Sequence, residues 1–147
     1  MATGSDAVGK TWPAGEYEVG REKIREYAEA IGEDNEIYLD RDRARAAGFR
    51  DVVAPPMFAV VYTARPVGTA IADPDVGLDY SRMVHAGQEF VWGEPVCAGD
   101  VVSTELSLQD VSEKGKNVIY TFGSTSKNQD DQKVVSATWT LIVRGES

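Results

Sequence analysis

The spacing of hydrophobic positions divides this chain into a helical first half and a stranded second half. Between residues 21 and 31 the apolar side chains Ile24, Tyr27, Ala28 and Ile31 fall at i, i+3, i+4 and i+7. That is one face of an amphipathic helix, and Gly32 supplies its stop. Ahead of it, Glu16-Tyr17-Glu18-Val19 alternates polar and apolar after Trp12-Pro13 and Gly15, the pattern of a short strand that follows a turn. Ala- and Arg-rich sequence over residues 40–47, closed by Gly48, predicts a second short helix. Residues 57–72 are apolar on nearly every side, as in a buried helix. Pro56 is harmless near its first turn, whereas Pro66 is expected to kink the helix or end its first part.

After Tyr80 the period shortens to two. Strands are predicted over residues 83–92, 101–111, 118–126 and 134–143, separated by turn signals at Pro95 with Ala98-Gly99-Asp100, at residues 113–117 and at residues 128–132. The last three runs, joined by short connections, make an antiparallel meander. A meander that curls around a nearly all-apolar helix is an α+β hot-dog fold, a curved antiparallel sheet wrapped around a central buried helix. An α+β sandwich with helices on one face also satisfies the pattern. In either case the uncovered helix side and the open sheet edge call for side-by-side dimerisation. No repeat or linker divides the chain, so residues 1–147 are expected to form one domain.

Composition narrows the function by exclusion. A formal net charge of −9 disfavours a nucleic-acid partner. The lone Cys97 forms no internal disulfide, and the first residues lack the basic and apolar regions of a secretion signal, so a cytoplasmic location is expected. No apolar run reaches membrane-spanning length, and no spacing of ligand residues suggests a metal.

Chemistry concentrates in Gly32-Glu33-Asp34-Asn35-Glu36-Ile37-Tyr38. With Tyr27 before it and Ala44 after it, this segment resembles the motif of the MaoC-like, R-specific enoyl hydratases and 3-hydroxyacyl-thioester dehydratases. That motif is an aromatic residue, then Gly-Asp-x-Asn-Pro-aliphatic-His, then a small residue. The chain is most similar to small actinobacterial proteins related to subunits of the mycobacterial (3R)-hydroxyacyl-ACP dehydratase. Residues 19–28, Val53-Ala54-Pro55-Pro56-Met57-Phe58, and His85-Ala86-Gly87-Gln88-Glu89-Phe90 followed by residues 95–100 extend the resemblance over nearly the whole chain.

The resemblance implies an acyl thioester substrate carried on CoA or phosphopantetheine, with no further cofactor. It also implies a catalytic Asp and His five residues apart, where this chain has Glu33 and Tyr38. A phenol with a pKa near ~10 is a poor replacement for imidazole. The leading expectation is therefore a dehydratase subunit with degenerate catalytic residues, which binds the acyl chain while a second hot-dog subunit supplies Asp and His. Two alternatives stay open: a homodimeric hydratase using Glu33 and His85, the only histidine, and a non-catalytic acyl-thioester-binding module.

Asn35 and Tyr38 are candidate substrate contacts. Met57 and Phe58, the first residues after Pro55-Pro56 with amide hydrogens, are candidate donors to a thioester oxygen at the start of the central helix. Each has an ordinary structural reading: an Asx turn for Asn35, a packed aromatic for Tyr38, helix initiation for Met57 and Phe58, and a structural strand residue for His85. Arg41, Arg43, Arg45 and Arg50 could attract a pantetheine phosphate or an acidic carrier protein, or else pair with neighbouring acids.

Overall fold

The computed structural model describes residues 3–13 and 15–146; Met1, Ala2, Ala14 and Ser147, part of the expected 1–147 span, lie outside the described residues. The elements are β1 (Thr11–Pro13), β2 (Tyr17–Glu18), α1 (Arg21–Ala30), α2 (Glu36–Leu39), α3 (Arg41–Ala46), α4 (Ala59–Ile71), β3 (Met83–Trp92), β4 (Val101–Lys114), β5 (Asn117–Lys127) and β6 (Lys133–Val143). The sheet runs β1-β4-β5-β6-β3, antiparallel throughout, with β2 pairing separately on β4. The expected meander is β4-β5-β6. β3 lies beyond it and, among the described residues, pairs only with β6, leaving its other edge open.

Alternation decides which face of the sheet meets the helices. Val102, Thr104, Leu106 and Leu108 on β4, and Val135, Ala137, Trp139, Leu141 and Val143 on β6, are all buried. One core cluster gathers Leu106, Leu108, Tyr120, Phe122 and Trp139 with Ala70 of α4. A second gathers Val19, Ile24, Val102 and Val135 with Phe58, Ala59 and Tyr62. The two clusters pack the two halves of α4, so the helix lies against a sheet that curves around it.

The structure departs from the expected central helix in three ways. A 3-10 turn, Pro56–Phe58, precedes α4, and Pro66 does not end the helix, which runs unbroken to Ile71. Pro66 removes one amide donor but is itself buried. Nor is the helix covered on every side: Ala59, Tyr62, Thr63, Pro66 and Ala70 are buried, whereas Ala64, Arg65, Gly68 and Thr69 are exposed. Apolar content predicted burial all round, but one curved sheet covers only one side of a cylinder.

Two elements were illegible in the pattern. Trp12-Pro13, which reads as a turn, forms β1 opposite Leu106 and Glu105. The Trp12 indole then donates to Asp73, which also pairs with Lys10, tying the N-terminal segment to the loop after α4. The second is α2, a single helical turn inside the motif segment.

Candidate active site

The site begins where α1 ends. Gly32 adopts φ 71°, a left-handed conformation that glycine takes without steric penalty, and its amide donates to the Glu29 carbonyl. The chain then reverses into α2, capped by Asn35, whose side-chain oxygen accepts from the Ile37 amide at 3.1 Å. Glu33 accepts from the Asn35 amide at 3.3 Å. Asp40 caps α3 by accepting from the Arg43 amide at 2.9 Å. These bonds hold the motif segment as one rigid corner.

The following segment crosses beneath that corner. The Val53 amide donates to the Ile37 carbonyl and the Ala54 amide to the Val96 carbonyl, so residues 52–54 are held between α2 and the 96–98 loop. Asp100 anchors this loop: it is fully buried, meets Arg50 at 2.6 Å, and accepts from the Cys97 amide and the Gln129 side chain. Burial pushes its carboxyl pKa up, but those three donors outweigh burial and hold it below the ordinary carboxylate range.

Together these segments enclose a cavity of about 280 Å³ at the N-terminal end of α4. Ile37 and Tyr38 come from α2, Val53 to Pro56 from the crossing segment, Phe58, Ala59 and Tyr62 from the helix start, and Trp92 to Val96 from the end of β3 and its loop. The lining is mostly apolar, with Tyr38, Tyr62 and Glu94 as its polar side chains. Burial raises the Tyr38 phenol pKa, and the nearby Glu33 charge raises it further. Tyr38 is therefore a hydrogen-bond donor at neutral pH and cannot serve as the base.

The other candidates fall in different places. Glu33 lies beside Tyr38 electrostatically but does not line the cavity. Asn35 is exposed, and its carbonyl oxygen is used by the α2 cap. Phe58 is fully buried and its amide donates to the Pro55 carbonyl at 2.8 Å, so it is not the free donor expected after two prolines; the 3-10 turn uses it. Met57, 46% exposed, carries the one amide of that pair left over by this turn.

His85 is at the far end of β3. A bulge between His85 and Gly87 inserts an extra residue, which turns His85 onto the same sheet face as Gln88 and Trp139. Its ring stacks on Trp139 at 5.7 Å, and Nε2 lies 3.1 Å from both the Gly87 carbonyl and the Gln88 side-chain oxygen. It borders a second, more open cavity of about 750 Å³, with Tyr80 and the exposed side of α4 at Val60, Ala64, Val67 and Gly68. The fold does not bring His85 and Glu33 into one cavity within the chain.

The arginine cluster is largely paired. Arg41 meets Asp51 at 3.3 Å, Arg43 meets Glu36 at 3.5 Å and Arg50 meets Asp100, while Arg45 donates to the Arg50 carbonyl. The acids neutralise what looked like a basic patch. Tyr62, Trp92 and Glu94 line the first cavity and were not singled out from sequence. The one available signal was Tyr62, a polar ring in the otherwise apolar start of a helix.

Comparison with known proteins accounts for this arrangement. A family model described as FAS1-like, dehydratase domain region, matches residues 6–137. The chain belongs to that family. It is 43% identical to a UPF0336 protein of Clavibacter michiganensis over 99% of both chains. Among solved structures, it resembles the C-terminally truncated HadBC (3R-hydroxyacyl-ACP dehydratase) complex of Mycobacterium tuberculosis, with 27% identity, a TM-score of 0.82, and 93% and 97% of the two chains covered. The ChsH1-ChsH2 complex of the same organism shares the fold, with 23% identity, a TM-score of 0.74, and 93% and 98% covered. The curved antiparallel sheet packed on α4 is the hot-dog fold. No helix among the described residues is long and apolar enough to cross a membrane.

Proposed function

We propose that this chain is the acyl-binding subunit of a (3R)-hydroxyacyl-thioester dehydratase or enoyl hydratase, and that a second hot-dog subunit supplies the catalytic Asp and His. The observation that carries the reading is the cavity at the start of α4, which is mostly apolar but has a protonated Tyr38 where the reaction needs a base. Dehydration takes a proton from C2, delivers one to the departing hydroxyl, and places negative charge on the thioester oxygen. The Tyr38 hydroxyl, which lines this cavity, can donate to a substrate oxygen, whereas Met57, with its amide left over by the turn, does not line it. Neither can take the C2 proton.

The partner has a surface to occupy. The open β3 edge carries the exposed Val84, Val91 and Trp92, and the adjoining side of α4 is apolar. A long open strand beside an exposed apolar helix face is an incomplete interface. Similarity to HadBC, a complex by its description, favours another hot-dog chain as the cover. The substrate arrives on CoA or phosphopantetheine, and the chemistry asks for no other cofactor. A buried free Cys97 fits a reducing, cytoplasmic setting.

The self-sufficient reading requires His85 to reach the cavity of another copy. Within one chain seven strand residues, roughly 23 Å, separate it from Trp92. The test is hydration of a short 2-enoyl-CoA by the purified chain alone, then with the second hot-dog subunit. Activity confined to the mixture supports the proposal. Turnover by the chain alone that collapses in Glu33→Gln or His85→Ala would overturn it, and acyl-CoA binding without turnover in either case would leave a binding module.

A further inference from the structure

Tyr62 stands between two cavities. On one side it lines the 280 Å³ cavity; on the other it lines a groove of about 380 Å³ beneath β2, with Tyr17, Glu18, Ala64 and Arg65. It is only 6% exposed, and its ring packs against Phe58 at 6.3 Å between centroids. Its hydroxyl makes no hydrogen bond with any described residue, yet it is not sealed from solvent-sized space. Tyr62 is the residue common to the two linings. Buried tyrosines usually satisfy their hydroxyl within the protein. Burial also raises the Tyr62 pKa well above its ordinary value, so the group remains a neutral O–H.

The geometry points to Tyr62 as the residue that sets acyl chain length in the cavity at the start of α4, its ring closing the inner end and its hydroxyl disfavouring apolar chains long enough to cover it. The inference rests on the acyl-thioester reading above. A methylene chain that reaches the ring displaces the water available to the hydroxyl and offers no acceptor in return, which penalises long straight chains. A chain carrying an oxygen at that depth escapes the penalty. The substrates favoured are accordingly short, or bear a polar group where the chain meets Tyr62.

The test is binding of a homologous series of straight-chain saturated acyl-CoAs, which the hydration reaction does not consume. It uses the chain with and without its second hot-dog subunit, as wild type, Tyr62→Phe and Tyr62→Ala. Tyr62→Phe keeps the ring and is expected to tighten the longer members by roughly fivefold or more, with the short ones unchanged. Tyr62→Ala opens the cavity into the groove, and each further methylene that enters should then tighten binding roughly fourfold. Should Tyr62→Ala fail to fold, Tyr62→Phe still decides. A wild-type profile left unmoved by the variants that fold would overturn this inference alone. Wild type that binds no member of the series would overturn the acyl-thioester reading and this inference with it.

Discussion

Two sides of α4 face very different surroundings. At its N-terminal end, Tyr38, Phe58, Tyr62 and the 94–96 loop enclose a small apolar cavity, and Asp100 with Arg50 pins the wall behind it. On another side, from Val60 through Ala64 and Gly68, the helix opens along its length onto a broad groove shared with Tyr80, His85 and Trp139. The first region is the narrower, its walls tied together by bonds within the chain. The second is apolar but open, and it adjoins the unpaired edge of β3. The contrast teaches that resemblance to a catalytic motif and possession of a base are separate matters: the motif residues shape the closed region, while the only histidine belongs to the open one.

The sharpest way to break this contrast is to introduce the Asp and His that the proposed function assigns to a second subunit. Tyr38→His with Glu33→Asp is expected to raise hydration of a short 2-enoyl-CoA by the chain alone roughly 10²- to 10⁴-fold over wild type. No gain in a folded double variant would mean that substrate does not sit at the closed end. A charge placed in the open region should act next most strongly. Gly68→Arg is expected to weaken association with a hot-dog partner by about 3 kcal/mol, more than a hundredfold in Kd, measured by sedimentation. Unchanged association would remove the groove from the interface.

A smaller effect concerns the wall of the closed region. Asp100→Ala leaves the Cys97 amide and Gln129 without their acceptor, so unfolding stability should fall by about 2 kcal/mol in urea titration. Because the folded-state pKa of Asp100 is depressed, its contribution is fully present above the ordinary carboxylate value near ~3.9. It is lost as pH falls through the lower folded value. Wild type should therefore lose stability on acidification below about pH 4 more steeply than Asp100→Ala, and parallel acid profiles would contradict the pairing. The smallest effect is assigned to His85→Ala, which should change turnover of the assembled enzyme by less than about twofold. A tenfold loss would instead move the base to the open groove.

Much of this was legible without coordinates, for local reasons. The α1 stripe at Ile24, Tyr27 and Ala28, the Gly32 stop, the Asp40 start of α3 and the alternation along β4 and β6 all follow from short-range periodicity and capping, whereas Ile31 falls past the helix and is exposed. The spacing from Gly32 to Ala44 located the corner on which the cavity is built. Other features failed the same test because their cause is distant in sequence. Trp12-Pro13 becomes a strand only because β4 lies beside it, and Phe58 loses its free amide only because the chain turns back on Pro55.

The amino-acid sequence by itself determined α1, α3, α4 and β2 to β6, their order, and the presence of Glu33 and Tyr38 in the motif segment, since these depend on neighbours a few residues apart. Tertiary structure decided that Tyr38 and Tyr62 share one cavity, that Arg41, Arg43 and Arg50 are paired with acids, and that the bulge beyond His85 turns the histidine onto the face of Trp139, where it borders a different groove. The physical reason is direction: a side chain's neighbours depend on how elements cross and on strand register, and a one-residue change in register reverses the face.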